Sequence, residues 1–284
     1  QLPAVVDMEE ALKEGSPLVH SDKGTNQCFL FDFPGAGADY DETVAAAGDD
    51  CVVVKRRFVQ QRLLPTPMEP RGVVVAPIAA ADEFTMYSTT QIPHVLRVML
   101  ALTTGIPEHK LRVVAPDVGG GFGAKLNVYA EEILALVVAR KLGRPIKWTE
   151  SRSENYQATT HGRDQIQDIT IAAKKDGTLL GLKVELLADM GAYLQLITPG
   201  VPILGAFMFP AIYKMAAYRF ICQGVFTTKT PTDAYRGAGR PEATYAIERI
   251  MDELAVTLGR DPMELRKQNW IKHEEFPYTM IAGL

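Results

Sequence analysis

Cysteine is scarce: Cys28, Cys51 and Cys222 are the only three in 284 residues. They are too few and too scattered for a disulfide framework or a CxxC-type zinc or iron-sulfur site. Each reads as a small buried hydrophobe in a reducing, cytoplasmic setting. The five histidines, His20, His94, His109, His161 and His273, form no HxH or HExxH pair, which argues against a metal held directly by side chains. No G-x-S-x-G elbow offers a serine nucleophile. No long basic run is present, and 34 acidic against 30 basic side chains leave a formal charge of -4; nucleic acid is therefore an unexpected partner. The most apolar stretch, residues 198–213, is broken by Pro199, Gly200, Pro202, Gly205 and Pro210, which excludes a continuous membrane-spanning helix. The chain opens at Gln1 with neither an initiator methionine nor a charged-then-apolar leader. The expectation is a protein that is not secreted and a gene product that begins earlier.

Apolar residues make up 47% and charged residues 23% of the chain, enough to bury one large core or two smaller ones. Residues 1–50 are rich in Gly, Asp and Ala with only short apolar runs, and a strand-like run begins at residues 51–58, so a soft boundary is placed near residue 50. Further strands are expected over 84–88 and 111–115, with a helix over 93–104 between them, closed by Gly105 and Pro107. A second helix is expected over 127–142, with Arg140 and Lys141 in its last turn and Gly143 just beyond. Residues 165–173 and 178–188 alternate in polarity around Lys175-Asp176-Gly177, a hairpin signal. Ala243, Ile247, Ile250, Met251, Leu254 and Leu258 form one face of a long helix closed by Gly259, and Asp261-Pro262 starts another with Glu264 three residues after the cap. Hairpins mixed with separated helices predict an α+β fold with mixed sheets and packed helices.

Three stretches are able to carry chemistry. Pro116 through Lys125 holds Gly119, Gly120, Gly121 and Gly123, so bare backbone N–H groups can approach an anionic or bulky ligand beside a following helix N-terminus. Gly119, Gly121 and Ala124 also satisfy a G-x-G-x-x-A dinucleotide pattern with Glu150 at the end of a later strand-like run. A tight structural turn is the third reading, and spacing does not choose among them. Thr232 through Glu242 is a second glycine-rich loop before a long helix, where Arg236 and Arg240 suit oxyanion or phosphate contacts or simply pair with Asp233 or Glu242. Tyr87 through His94 runs from strand to helix; Gln91 there is a cofactor hydrogen-bond donor or a helix cap.

Taken in order, Thr89-Thr90-Gln91, Asp117 through Lys125, and Ala234 through Pro241 resemble the molybdopterin-binding large subunits of the xanthine dehydrogenase, aldehyde oxidase and aerobic carbon monoxide dehydrogenase family. Gln61-Arg62, Pro67-Met68-Glu69-Pro70-Arg71, His161-Gly162-Arg163-Asp164, Glu248-Arg249-Ile250-Met251-Asp252 and Leu2 through Asp7 extend the likeness over most of the chain. The resemblance implies that residues 1–50 are the tail of a preceding α/β hammerhead domain plus a linker, and that 51–284 are the first molybdopterin-binding domain, the first half of a molybdenum-cofactor-binding region.

It further implies a molybdenum cofactor, molybdopterin in its cytosine dinucleotide form, held through the pterin and not by side-chain ligands. Gln91 matches the glutamine that hydrogen-bonds the apical oxo group. Gly120, Gly121, Phe122 and Gly123 match backbone contacts at the centre, Arg236 the arginine that orients substrate, with Gly237 and Ala238 beside it, and Phe276 a phenylalanine that stacks on substrate. The general base lies beyond this chain, so the fragment alone is expected to be inactive. The implied reaction hydroxylates a small molecule with water as oxygen source, and electrons leave through iron-sulfur clusters to FAD on partner subunits, an iron-sulfur subunit and an FAD subunit, in a dimer of heterotrimers. Two departures redirect the substrate: Gly237 stands where carbon monoxide oxidisers carry a copper-binding cysteine, and Leu126 where purine oxidisers carry a glutamate. An aldehyde or N-heterocycle is expected instead. Two other readings remain: a non-catalytic cofactor- or subunit-docking homologue, and a nicotinamide-dependent dehydrogenase built on the Gly119 to Ala124 match.

Overall fold

The computed structural model describes residues 2–283. The chain gathers into two units: unit 1 takes the described residues up to 62, then 163–232 and those from 237 on, and unit 2 takes 63–162 and 233–236. Unit 1 opens with α1 (Met8–Ala11), β1 (Gln27–Phe33), α2 (Tyr40–Ala47) and β2 (Cys51–Leu63). Unit 2 follows with β3 (Gly72–Ile78), β4 (Glu83–Ser88), α3 (Pro93–Thr104), β5 (Leu111–Val114), α4 (Ala130–Leu142), β6 (Ile146–Thr149) and α5 (Arg152–Ala158). Unit 1 resumes with β7 (Gly162–Lys174), β8 (Leu179–Gly191), α6 (Gly200–Gly205), β9 (Ala217–Phe226), α7 (Arg240–Leu258) and α8 (Pro262–Asn269).

In unit 1 the expected hairpin is β7 and β8, antiparallel and longer at both outer ends than the alternation alone indicated. Gly177 turns it with φ +88°, while the Asp176 carboxylate accepts the Thr178 N–H at 2.9 Å. The strands join a five-stranded sheet in the order β1-β9-β8-β7-β2, with β8 and β9 parallel and β1 antiparallel to β9. Ile169, Ile171, Leu182, Val184, Tyr218, Phe220 and Cys222 are fully buried, packed with Ala243, Ile247, Ile250, Met251 and Leu254 of α7. That is the helical stripe read from the sequence, and each large aliphatic buried there contributes about 1.5–3 kcal/mol. Gly259 ends α7 with φ +65°, and the Asp261 carboxylate caps α8 by accepting from Met263 N and Glu264 N.

The first fifty residues include a strand, β1, whose aromatics Phe29, Phe31 and Phe33 pack on the main core. One local expectation, that each cysteine is buried, is corrected in this unit. Cys222 is buried, and burial pushes its thiol up; Cys28 and Cys51, by contrast, are only half-buried. The composition change near residue 50 coincides with the start of β2, which runs on to Leu63.

Unit 2 is built on a four-stranded sheet ordered β5-β4-β3-β6. Strands β3–β4 and β3–β6 are antiparallel and β4–β5 parallel, so both sheets are mixed and the α+β expectation is met. Leu96 and Leu100 of α3 and Leu136 and Ala139 of α4 pack with Val75 and Met86 in a separate core. Pro93 opens α3 and Gly105, with φ +70°, closes it. Helix α4 starts later than expected, at Ala130, because the Glu132 carboxylate accepts the Tyr129 N–H at 3.0 Å and fixes that residue as the cap. Among the described residues no helix is long and apolar enough to cross a membrane.

Candidate cofactor site

The glycine turn lies in unit 2 between β5 and α4. It winds through positive φ at Gly120 (+94°), Phe122 (+54°) and Gly123 (+101°), a geometry in which a side chain is strained. Two tight hydrogen bonds close it, Gly120 N to Val118 O and Ala124 N to Gly121 O, each 2.9 Å. The twist leaves the Phe122 ring 44% exposed while Gly123, Ala124 and Lys125 are buried.

Gln91 is fastened to this turn from both its backbone and its side chain. Its N–H donates to Lys125 O at 2.9 Å, and its Oε1 accepts from Gly123 N at 2.9 Å and Lys125 N at 3.2 Å. Because the oxygen side of the amide is committed to two backbone donors, the amide nitrogen is the group turned away as a free donor. The helix-cap reading of Gln91 is thereby set aside; Thr90 Oγ1 instead accepts the Ile92 N–H at 3.1 Å. Contact is close enough that a Cβ on Gly121 would sit 2.4 Å from Gln91 Oε1.

Residues 233–236 complete unit 2 against the same turn. A Cβ on Gly123 would lie 1.9 Å from Ala234 O, so only glycine admits that carbonyl. The Arg236 N–H donates to Phe122 O at 2.9 Å, and the Arg236 guanidinium carbon stands 5.9 Å from the Phe122 ring centroid, within the range of a cation–π contact. Gln91, Gly120, Gly121, Phe122, Gly123 and Arg236, separated by up to 145 positions in the chain, are thus brought together (236 − 91 = 145). Gly237, Ala238 and Phe276 belong to unit 1. Gly237 and Ala238 take φ +110° and +45° just before α7, and Phe276 follows a short turn with its side chain 67% exposed. Glu242, one suggested partner for the loop arginines, is buried in unit 1 and pairs with Arg163 at 3.1 Å.

A dinucleotide site does not fit this geometry. Such a turn feeds directly into a helix whose N-terminus faces the pyrophosphate, whereas α4 begins only at Ala130, and the expected helix terminus beside the glycines is displaced with it. Glu150, the acidic residue of that reading, is buried and occupied by Arg71, whose Nε and Nη2 donate to its Oε1 at 3.0 and 2.7 Å. Burial alone would raise the Glu150 carboxyl; the Arg71 N–H, the Arg71 charge, Thr159 and Asn155 hold it below the ordinary carboxylate range. Arg71 also reaches Glu131 at 3.1 Å and lies 3.6 Å over the Tyr129 ring. This network sets the frame behind the turn, and Tyr129 Oη donates to Ala124 O at 2.5 Å. Sequence patterning marks neither Tyr129 nor Arg71 as a site residue: Arg71 meets Glu131 and Glu150 from 60 and 79 positions away, and Tyr129 is of a type ordinary at a helix entrance.

Bare backbone at Gly120, Gly121 and Gly123, an exposed Gln91 amide and a guanidinium beside an exposed aromatic are groups able to hold a bulky polar ligand by backbone and amide contacts, without side-chain metal ligands. The residues present therefore fit a pterin-borne metal. The molybdopterin cofactor-binding domain family matches residues 19–270, and the chain belongs to it. It is 37% identical to the carbon monoxide dehydrogenase large chain of Hydrogenophaga pseudoflava over 100% of this chain and 37% of that one. It is 35% identical to the 6-hydroxypseudooxynicotine dehydrogenase complex subunit gamma of Paenarthrobacter nicotinovorans over 98% of this chain and 34% of that one. Quinoline 2-oxidoreductase from Pseudomonas putida 86 superposes with a TM-score of 0.92 and 33% identity, covering all of this chain and 36% of that one. The chain spans little more than a third of the length of these two curated relatives.

Proposed function

We propose that this chain is the cofactor-binding segment of a molybdenum hydroxylase that oxidises an aldehyde or an N-heterocycle with water as the source of oxygen. The observation that carries the proposal is the Gln91 amide, anchored through Oε1 to Gly123 and Lys125 so that its N–H₂ faces outward beside the bare turn. When bound, molybdopterin in its cytosine dinucleotide form supplies the two-electron redox chemistry. Gln91 would donate a hydrogen bond to it, and Gly120, Gly121, Phe122 and Gly123 would offer it backbone contacts. Gly237 and Ala238, like Arg236, are assigned to cofactor binding on the resemblance of the Ala234 to Pro241 stretch.

Arg236 orients the substrate and stabilises negative charge that develops on it, a task suited to a fixed planar cation. Phe276 is assigned to stacking on the substrate ring. The general base belongs to a part of the protein outside this chain, so the fragment alone does not turn over. Electrons leave to an iron-sulfur subunit and an FAD subunit in a cytoplasmic dimer of heterotrimers. Strand β1 shares the large sheet with β2, and the family match starts at residue 19; we therefore assign the tail-plus-linker role, first read over residues 1–50, to the residues before that point, with the first molybdopterin-binding domain after it.

Substrate choice rests on two positions. Gly237 supplies no thiolate, the soft ligand that copper requires, and Cys222 is sealed in the core. Leu126 offers no acceptor for a purine N–H. An aromatic nitrogen ring is in keeping with the exposed Phe122 ring and with the substrate in the name of the quinoline-oxidising relative. The test is to assay the intact complex on aldehydes, N-heterocycles, xanthine and carbon monoxide with an artificial electron acceptor. Turnover of the first two classes is expected; turnover of carbon monoxide alone would overturn the assignment.

A further inference from the structure

Glu69 stands fifty residues before the glycine turn, yet one of its oxygens ties the turn's two ends together. Its Oε2 accepts from Gly119 N at 2.8 Å and from the Lys125 ammonium at 2.9 Å. The pairing with Gly119 is reciprocal, since Glu69 N donates to Gly119 O at 3.2 Å. There is no slack: a Cβ on Gly119 would meet Glu69 Cβ at 2.6 Å. Lys125 is fully enclosed, with 0% of its side chain exposed against 38% for Glu69, so its charge relies on this carboxylate. The Glu69 segment is itself held, because Arg152 donates to Pro67 O at 2.6 Å and Met68 O at 3.0 Å.

Lys125 is also the residue whose backbone N–H and carbonyl fasten Gln91. We propose that Glu69 is a positioning residue which, by clamping Gly119 and Lys125, fixes the conformation of the glycine turn in which Gln91 presents its amide donor outward. This rests on the cofactor reading above only for what the donor serves. The role assigned to Glu69 is exerted through Lys125 and the turn. Glutamine at position 69 would keep an acceptor for Gly119 but leave the enclosed ammonium without a counter-charge, which is costly in a buried setting.

The experiment uses the intact complex with Glu69→Gln, and with Glu69→Gln combined with Lys125→Met, which removes the stranded cation. Amide hydrogen exchange over residues 119–125 is compared with exchange in α4 and in β3, and kcat and KM are measured on the best substrate. For Glu69→Gln, exchange in the turn is expected to rise about tenfold with α4 and β3 unchanged, kcat to fall about tenfold with KM nearly constant, and the double variant to recover most of both. Unchanged exchange in the turn, or an equal rise throughout unit 2 without recovery in the double variant, would overturn the proposal. If the unmodified complex carries no molybdenum the cofactor reading falls separately, and the exchange measurement still decides what Glu69 does.

Discussion

Gly123 carries the most stringent demand on a single residue. With φ +101° and a Cβ that would lie 1.9 Å from Ala234 O, Gly123→Ala combines backbone strain with a backbone collision. A loss of at least about 2 kcal/mol in denaturant unfolding is expected, together with loss of molybdenum from the complex. Arg236→Ala should behave differently, because the exposed guanidinium is assigned to substrate. Its kcat/KM is expected to fall about a hundredfold while molybdenum content is kept; equal loss of both would move Arg236 from substrate to cofactor. At this scale the sequence was informative where function forces unusual residues together, as in four glycines within five positions. It was silent on Glu69, whose partners are 50 and 56 positions away and whose type is ordinary on a protein surface.

Elements with a regular apolar period were legible to within a few residues. The stripe on α7 and the Asp261 cap of α8 follow from local spacing alone, and both can be tested. Ile250→Ala, at a fully buried position, should cost about 2–5 kcal/mol in equilibrium unfolding. Asp261→Ala, removing an acceptor for Met263 N and Glu264 N, should cost about 1 kcal/mol. Strand β9 is an interior strand whose burial alternates from Tyr218 to Gly224; it escaped notice because the apolar Ile221 on the more accessible face blurs the matching alternation of polarity in the sequence. The start of α4 was misplaced because apolar and polar residues at 127–129 continue the helical pattern, and only the Glu132 to Tyr129 cap decides the boundary.

At the scale of the whole molecule, unit 2 carries a core and a charge network of its own. In unit 2 the enclosed Arg71 depends on Glu150 and Glu131, and the Glu150 carboxyl is held low in spite of its burial. A carboxyl with a depressed folded value adds stability that is fully present above the ordinary carboxylate range and is lost as pH falls through the depressed value. Glu132 works in the opposite sense: burial raises its carboxyl, outweighing Ser88 and the Tyr129 N–H, so its contribution is present at low pH and fades as pH rises through the raised value. Glu150→Gln should lower stability at neutral pH by up to about 3–5 kcal/mol, because it removes the fully buried counter-charge of Arg71 and leaves only the partly exposed Glu131. It should also flatten the loss of stability on acidification, read as the thermal midpoint from neutral pH down through the carboxylate range. A variant that kept the full acid dependence would show that other carboxylates dominate it.

The family of the chain rests on the match over residues 19–270 and its mixed sheets on the strand pairings, while substrate and partners rest on the protein as a whole. The proposed role of the Gln91–glycine-turn site is to serve a molybdenum cofactor without copper chemistry. The measurement that tests it most directly is the molybdenum and copper content, per chain, of the intact complex purified from its own host. Near-stoichiometric molybdenum with no copper is the expected result. Absence of molybdenum would contradict the cofactor claim, and stoichiometric copper would contradict the reading of Gly237.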